Sequence, residues 1–206
     1  MLGSGSERAW LIRRAEASDL EAIVEVHMSS FPGFFLAFLG PKFLKVFYQE
    51  VQAHRHGILQ VAETGLKIVG FVAGVTQQAD FYRYLVKERK WAFAFAAMGA
   101  AARRPMIVPR LIRALGKPHE SITSAAACLM SIAVAPASAS TGIGAALVRS
   151  FSEELRRRSI KRFCLTTDRD GNDKVNNFYQ KCGFKLTQVF CTYEGRWMNE
   201  YVMEVE

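Results

Sequence analysis

The stretch Leu129-Met-Ser-Ile-Ala-Val-Ala-Pro-Ala-Ser-Ala-Ser-Thr-Gly-Ile-Gly-Ala-Ala-Leu147 decides how this chain is read. It belongs to an apolar run of strand type, 125–134, that stops at Pro136. A loop of very small residues follows and leads straight into a helix expected over 142–159. There Ile143, Leu147, Phe151 and Leu155 recur every four residues on one buried face. Ser138, Ala139, Ser140, Thr141, Gly142 and Gly144 carry little side chain, so backbone N–H groups can close around an anion. The helix N-terminus behind them adds roughly half a positive charge. No Lys-Ser/Thr pair follows Gly144, so the loop is not a P-loop, and a dinucleotide fingerprint would need glycine where Leu147 stands. Two readings stay open from the loop alone: a pyrophosphate held by backbone without metal, or tight packing of a helix on a strand.

Upstream, 10–16 reads as a strand. Ser18-Asp19-Leu20-Glu21 has the form of a capping box, and a helix with Leu20, Ile23, Val24, His27 and Met28 at helical spacing runs to Ser30. Pro32-Gly33 breaks it, and Pro41 opens a second helix carrying Leu44, Phe47, Tyr48 and Val51. Segments 58–63 and 67–76 form a hairpin around Thr64-Gly65. Downstream come a strand at 161–167, a helix at 173–181 closed by Gly183, and a strand pair at 184–193 and 197–205. The order β-α-α-β-β, insertion, β-α-β-α-β-β implies an α/β (α+β) sheet of mixed direction. No repeat or linker divides the chain, so a single domain over 1–206 is expected, with a helical insertion at about 78–120.

Half of the 206 residues are apolar and 22% are charged, as in an ordinary soluble protein. A chain of this size buries roughly 70% of its unfolded surface and needs no disulfide or metal staple. Cys128, Cys164, Cys182 and Cys191 lack CxxC spacing, which suits reduced, largely buried thiols and a cytoplasmic location. The N-terminus lacks the basic start and apolar core of a secretory signal. The apolar stretch 91–102 is too short for the ~20 residues of a membrane span. Residues 78–118 hold Arg83, Lys87, Arg89, Lys90, Arg103, Arg104, Arg110, Arg113 and Lys117 against Asp80 and Glu88, and so supply nearly all of the net charge of +8. The rest of the surface is close to neutral, and no nucleic-acid recognition motif is present.

A second motif follows the first. Leu165-Thr-Thr-Asp-Arg-Asp-Gly-Asn172 precedes Val175, Phe178-Tyr179 and Lys181-Cys182-Gly183-Phe184. Together the two motifs resemble the acyl-CoA-binding core of the GNAT superfamily of N-acetyltransferases, and the element order resembles that family from residue 10 to the end, apart from the insertion. The resemblance implies a central mixed, mostly antiparallel sheet of about seven strands with helices on both faces. It also implies acetyl-CoA as co-substrate, no metal, and direct attack of an amine on the thioester. Ser131, Ile132, Ala133 and Val134 would pair with the pantetheine arm, an N–H from Ile132 or Ala133 facing the developing oxyanion. Ser138, Ala139, Ser140, Thr141, Gly142, Ile143, Gly144 and Ala145 would hold the pyrophosphate. Asn172 would bond the pantetheine arm, Phe178 would line the site, and Tyr179 would return a proton to the leaving thiolate. One departure stands out. The family's Gln/Arg of the loop is Ala139 here, the loss of a charge-assisted bond of roughly 1.5–3 kcal/mol.

No carboxylate or histidine lies on 125–134, where many relatives place a general base. Glu63, Asp80, His119, Glu120 and Asp168 are the titratable groups near strand ends, while His27, His54 and His56 suit surface or packing roles. The insertion reads as helices at 81–90, 91–104 and 109–115. Three roles for it stay open: cover for the sheet, a lid for an acidic or phosphate-bearing acceptor, or peripheral contact with anionic lipid. The acceptor itself, a small-molecule or sugar- or lipid-linked amine, stays unnamed, as does homodimer formation. A non-catalytic acyl-CoA sensor is the alternative to an enzyme.

Overall fold

The computed structural model describes residues 10–103 and 127–205. Seven strands form one sheet in the order β1-β2-β3-β4-β5-β7-β6. The strands are β1 (Leu11–Arg14), β2 (Gly57–Thr64), β3 (Lys67–Val75), β4 (Ala127–Val134), β5 (Arg162–Asp168), β6 (Lys185–Cys191) and β7 (Trp197–Glu204). Every neighbouring pair is antiparallel except β4 and β5. The mixed, mostly antiparallel α/β sheet expected from the sequence is the one observed.

Among the described residues seven helices cover it: α1 (Leu20–Ser30), α2 (Phe35–Leu39), α3 (Pro41–Ala53), α4 (Gln78–Glu88), α5 (Lys90–Arg103), α6 (Ile143–Arg157) and α7 (Asp173–Lys181). Helices α1 to α5 pack one face through Ile23, Leu44, Tyr48, Phe81 and Phe93, against Phe71 of β3 and Ala133 of β4. Helices α6 and α7 pack the other face through Leu147, Phe151, Leu155 and Tyr179, against Val72, Leu129, Phe163 and Tyr201. Each helix turns an apolar stripe to its own side of the sheet, and two cores result.

Three local readings are corrected. The capping box lies two residues earlier than the sequence suggests: the Glu16 N–H donates to Asp19 Oδ2 at 2.7 Å, and a 3-10 turn at Ala17–Asp19 precedes α1. Asp19 is preferred because Arg13 grips both of its oxygens, at 2.7 and 2.9 Å, whereas Glu21 reaches outward to Lys45. The helix α2 has too few residues to show a periodicity, and the sequence gives no warning of it. Of the four thiols only Cys128 and Cys164 are buried; Cys182 is half-buried and Cys191 exposed.

The described part of the insertion packs against α3. Phe93 packs on Phe43 with tilted rings whose centroids are 5.0 Å apart. Buried Glu50 of α3 accepts from Tyr84 at 2.8 Å and from Arg89 at 2.7 Å, tying α4 and its exit to α3. Trp91, Phe95 and Met98 stay exposed on α5. The helix expected at 109–115 lies outside the described residues.

Candidate active site

Among the described residues, strands β4 and β5 pair at Ala127 with Phe163 and at Cys128 with Cys164. Beyond them the strands diverge, although each continues for several residues. The thiols of Cys128 and Cys164 face each other at this junction, and that contact together with burial pushes the Cys128 thiol well up. The opening leads into a cleft of about 750 Å³.

A bulge in β4 orients its side chains. Ala73 and Gly74 of β3 are consecutive, but they oppose Ser131 and Leu129, so Met130 is the extra residue. After it, Ser131 and Ala133 face the α1–α3 side, while Ile132 and Val134 join the opposite core. Backbone direction follows from one hydrogen bond, Ala135 N–H to Val69 C=O at 2.8 Å. Counting back in twos along an antiparallel ladder, Ala133 also points its N–H at β3. The N–H groups of Ile132 and Val134 therefore point across the opening. Of the two oxyanion donors suggested by the sequence, this geometry favours Ile132. Ser30 Oγ donates to the Val134 carbonyl at 3.2 Å and anchors the end of α1 to this edge.

The small-residue loop closes the cleft where β4 ends. Ser140 and Gly142 both adopt positive φ, 63° and 85°. Left-handed residues in such a turn draw successive N–H groups to one side. Thr141 Oγ1 donates to the Ser138 carbonyl at 2.7 Å and holds the turn. No side chain caps α6, whose first intrahelical bond of this turn is Ala146 N–H to Gly142 C=O. The N–H groups of Ile143, Gly144 and Ala145 are thus the helix-start donors that ordinarily await a capping group or anion. Gly144 lies close under Phe178: a Cβ there would stand 3.3 Å from the ring, which would have to give by a few tenths of an ångström.

Across the cleft stands α7. Asn172 Nδ2 donates to Thr167 Oγ1 at 2.8 Å and to the Asp168 carbonyl at 3.1 Å, so its amide nitrogen pins the end of β5. Tyr179 is buried, and burial pushes its phenol above the usual range, so it keeps its proton at neutral pH. All the residues assigned to cofactor binding from the sequence, on 131–134 and 138–145 with Asn172, Phe178 and Tyr179, line this one cleft.

The base candidates fare differently. Glu63 is held by Arg13 at 2.7 Å and Asp80 by Arg83 at 2.9 Å, and neither lines the cleft. Asp168 does line it, but Arg196 grips both its oxygens at 2.6 Å. His119 and Glu120 lie outside the described residues.

Two cleft-related residues escaped the sequence reading. Asn176 is buried in α7; its Oδ1 accepts from Asn199 at 2.9 Å and Tyr201 at 3.0 Å, and its Nδ2 donates to the Asp168 and Asn172 carbonyls at 3.0 Å each. Its signal was the i, i+4, i+7 line of Asn172, Asn176 and Tyr179. His27 is buried among aromatic rings, as the packing role requires, and it also forms part of the cleft wall. Its Nδ1 meets Tyr48 Oη at 2.7 Å, and burial alone pushes its pKa down to about 4. An unfolded imidazole titrates near ~6.5, so between these values the unfolded chain binds a proton that the native chain does not. This contribution to stability is complete above about pH 6.5 and shrinks by about 2–3 kcal/mol on acidification to pH ~4.5. Urea unfolding at both pH values is expected to show that loss in the wild type and a smaller one in His27→Phe.

Among the described residues no helix is long and apolar enough to cross a membrane, and no group of three or more His, Cys, Asp or Glu residues is placed to hold a metal. Solved structures share this architecture. SsHAT superposes with a TM-score of 0.64 at 16% identity, over 96% of this chain and 98% of that one. The ribosomal-protein-S18-alanine N-acetyltransferase of Escherichia coli gives 0.58 at 15%, over 96% and 94%. The yncA protein of Salmonella typhimurium, solved with its cofactor acetyl-CoA, gives 0.59 at 14%, over 96% and 95%. No curated protein matches in sequence. At such identities these structures establish likeness of fold. Sequence kinship comes from the model of the acetyltransferase (GNAT) family, which matches residues 20–184, from the start of α1 to the turn after α7, and the chain therefore belongs to that family.

Proposed function

We propose that this protein transfers an acetyl group from acetyl-CoA to an amine by direct attack, without a covalent enzyme intermediate. The observation that carries the reading is the divergence of β4 and β5 beyond Cys128 and Cys164, beside an uncapped helix start. An extended amide-bearing arm can bond to the free β4 edge as an added strand would, while a pyrophosphate meets the N–H groups of residues 142–145. The loop fits such a group: the space where a Gly142 side chain would stand is open, with nothing within 4 Å. When bound, the thioester supplies an activated acyl carbon. The Ile132 N–H donates to its developing oxyanion. Ser138, Ser140 and Thr141 frame the phosphates, Asn172 and Phe178 wall the arm, and Tyr179 gives its proton to the leaving sulfur.

Thermal unfolding with acetyl-CoA tests this, with ATP and NAD as controls. At a hundredfold excess over the dissociation constant the gain is ~2.7 kcal/mol, a rise of roughly 5–11 °C for a chain this size. No shift at millimolar acetyl-CoA would overturn the reading. The loop also predicts a gain of function. Ala139 is exposed with an extended backbone, so a long basic side chain fits there. Ala139→Arg is expected to bind CoA at least about tenfold more tightly, measured by calorimetry.

A further inference from the structure

The side of the cleft opposite the small-residue loop is formed by the end of α1 and by α2, with His27, Phe31, Phe34, Leu36 and Met130. This wall carries no fixed charge. Within it His27 is 97% buried, on the 3% exposure of the residue, and its Nε2 has no hydrogen-bond partner. Leaving such a nitrogen unsatisfied is costly, so a donor that reaches it is bound strongly. Tyr48 Oη meets His27 Nδ1 at 2.7 Å and Ser131 Oγ at 3.2 Å, and either direction of donation fits these contacts. The tautomer that donates Nδ1–H to Tyr48, with Tyr48 donating on to Ser131, leaves Nε2 as a bare lone pair. Burial keeps the ring neutral. Phe31 packs 4.7 Å from the imidazole and Phe71 stacks 6.3 Å away, which holds the ring in place.

We propose that His27 Nε2 is the proton acceptor for the attacking amine, and that the acceptor is an amine on an apolar or aromatic body without anionic groups. This rests on the acetyl-transfer reading above. The amine nitrogen forms a bond to the acyl carbon, and the carbon–sulfur bond breaks with its electron pair on sulfur. The N–H proton passes to His27 Nε2 while Tyr179 protonates the sulfur; solvent then removes the imidazolium proton and restores that of Tyr179. The Nδ1–H to Tyr48 bond stabilises the charged ring as it forms, and Tyr48 in turn is positioned by Ser131 on the bulged strand. Nε2 is covered in this structure, with less than 1 Å² of exposed surface, so a flanking side chain shifts as the amine enters. An anionic acceptor finds no cation on this wall, since the cations lining the cleft, Lys174 and Arg196, lie on its α7 and β7 side.

The test measures CoA release from acetyl-CoA with phenethylamine, aspartate or glucosamine 6-phosphate, in the wild type, His27→Gln and Tyr48→Phe, with acetyl-CoA affinity measured in parallel. Phenethylamine is expected to be the preferred acceptor. His27→Gln, which can accept a hydrogen bond but cannot take up a proton, is expected to lose roughly 10²-fold in kcat at unchanged acetyl-CoA affinity, and the loss should not be recovered at high amine concentration. Tyr48→Phe should lose less, with the same split between kcat and affinity. Wild-type kcat in His27→Gln, or preference for either anionic acceptor, would overturn the proposal while leaving acetyl-CoA binding intact. Failure of the wild type to bind acetyl-CoA would overturn the underlying acetyl-transfer reading as well.

Discussion

Tyr179→Phe is expected to bind acetyl-CoA as the wild type does and to turn over at least tenfold more slowly. The ring does the packing, against Phe178 at 5.3 Å, Phe184 at 5.5 Å and Tyr201 at 6.1 Å, and phenylalanine keeps all three contacts. Only the hydroxyl is lost. A thiolate whose conjugate acid lies near ~8.5 is a modest leaving group in water and a worse one in a dry cleft, where its charge is poorly solvated. A buried phenol that holds its proton tightly remains available as a donor throughout the working pH range. General-acid assistance of this kind contributes about 10²–10⁴-fold, and water entering the space left by the hydroxyl recovers part of it. Single-turnover measurements separate chemistry from binding. A variant with wild-type turnover would remove Tyr179 from the mechanism.

The second large effect is on stability. Asn176→Leu is expected to lower the melting temperature by roughly 6–20 °C, from about 3–5 kcal/mol of lost stability. Leucine has about the right volume and a better helix propensity, so the loss comes from polar groups left without partners. Asn199 Nδ2 and the Tyr201 hydroxyl would point at a methyl group, and the Asp168 carbonyl would lose a donor. Tyr201 is almost wholly buried, and Asn199 nearly so. Asn176→Asp keeps the accepting oxygens but removes the donor, and should fall between the two. Calorimetry of all three proteins would show the order; a Leu variant as stable as the wild type would mean that the network contributes little.

Much of the fold was legible because long-period patterns survive in a single sequence. The α6 stripe of Ile143, Leu147, Phe151 and Leu155 and the strand ended by Pro136 carry both the element types and their junction. The small-residue loop was legible as a turn, and Ser140 and Gly142 do take positive φ there. The features that escaped depend on contacts distant in sequence. The Met130 bulge exists only relative to β3, so the sequence could not say which N–H of Ile132 or Ala133 faces the opening. His27 sits at an ordinary core position of α1, and its place in the cleft depends on Tyr48, 21 residues away, and on Ser131, 104 residues away. Capping was misread for a related reason: Ser18 and Glu21 have the right spacing, but Arg13 on the neighbouring strand selects Asp19.

The parting of β4 and β5 beyond Cys128 and Cys164 has a mechanical consequence. The two strands diverge like leaves from a common pin, one leaf built from β1 to β4 and the other from β5 to β7. Shared packing under α6, where Leu129, Phe163 and Tyr201 meet, keeps the leaves at one spacing. A guest lying along the free margin of β4 would become a rung between them, converting an open seam into a continuous lattice. Occupancy would then be felt as stiffness across the whole sheet, out to β6 at its far edge.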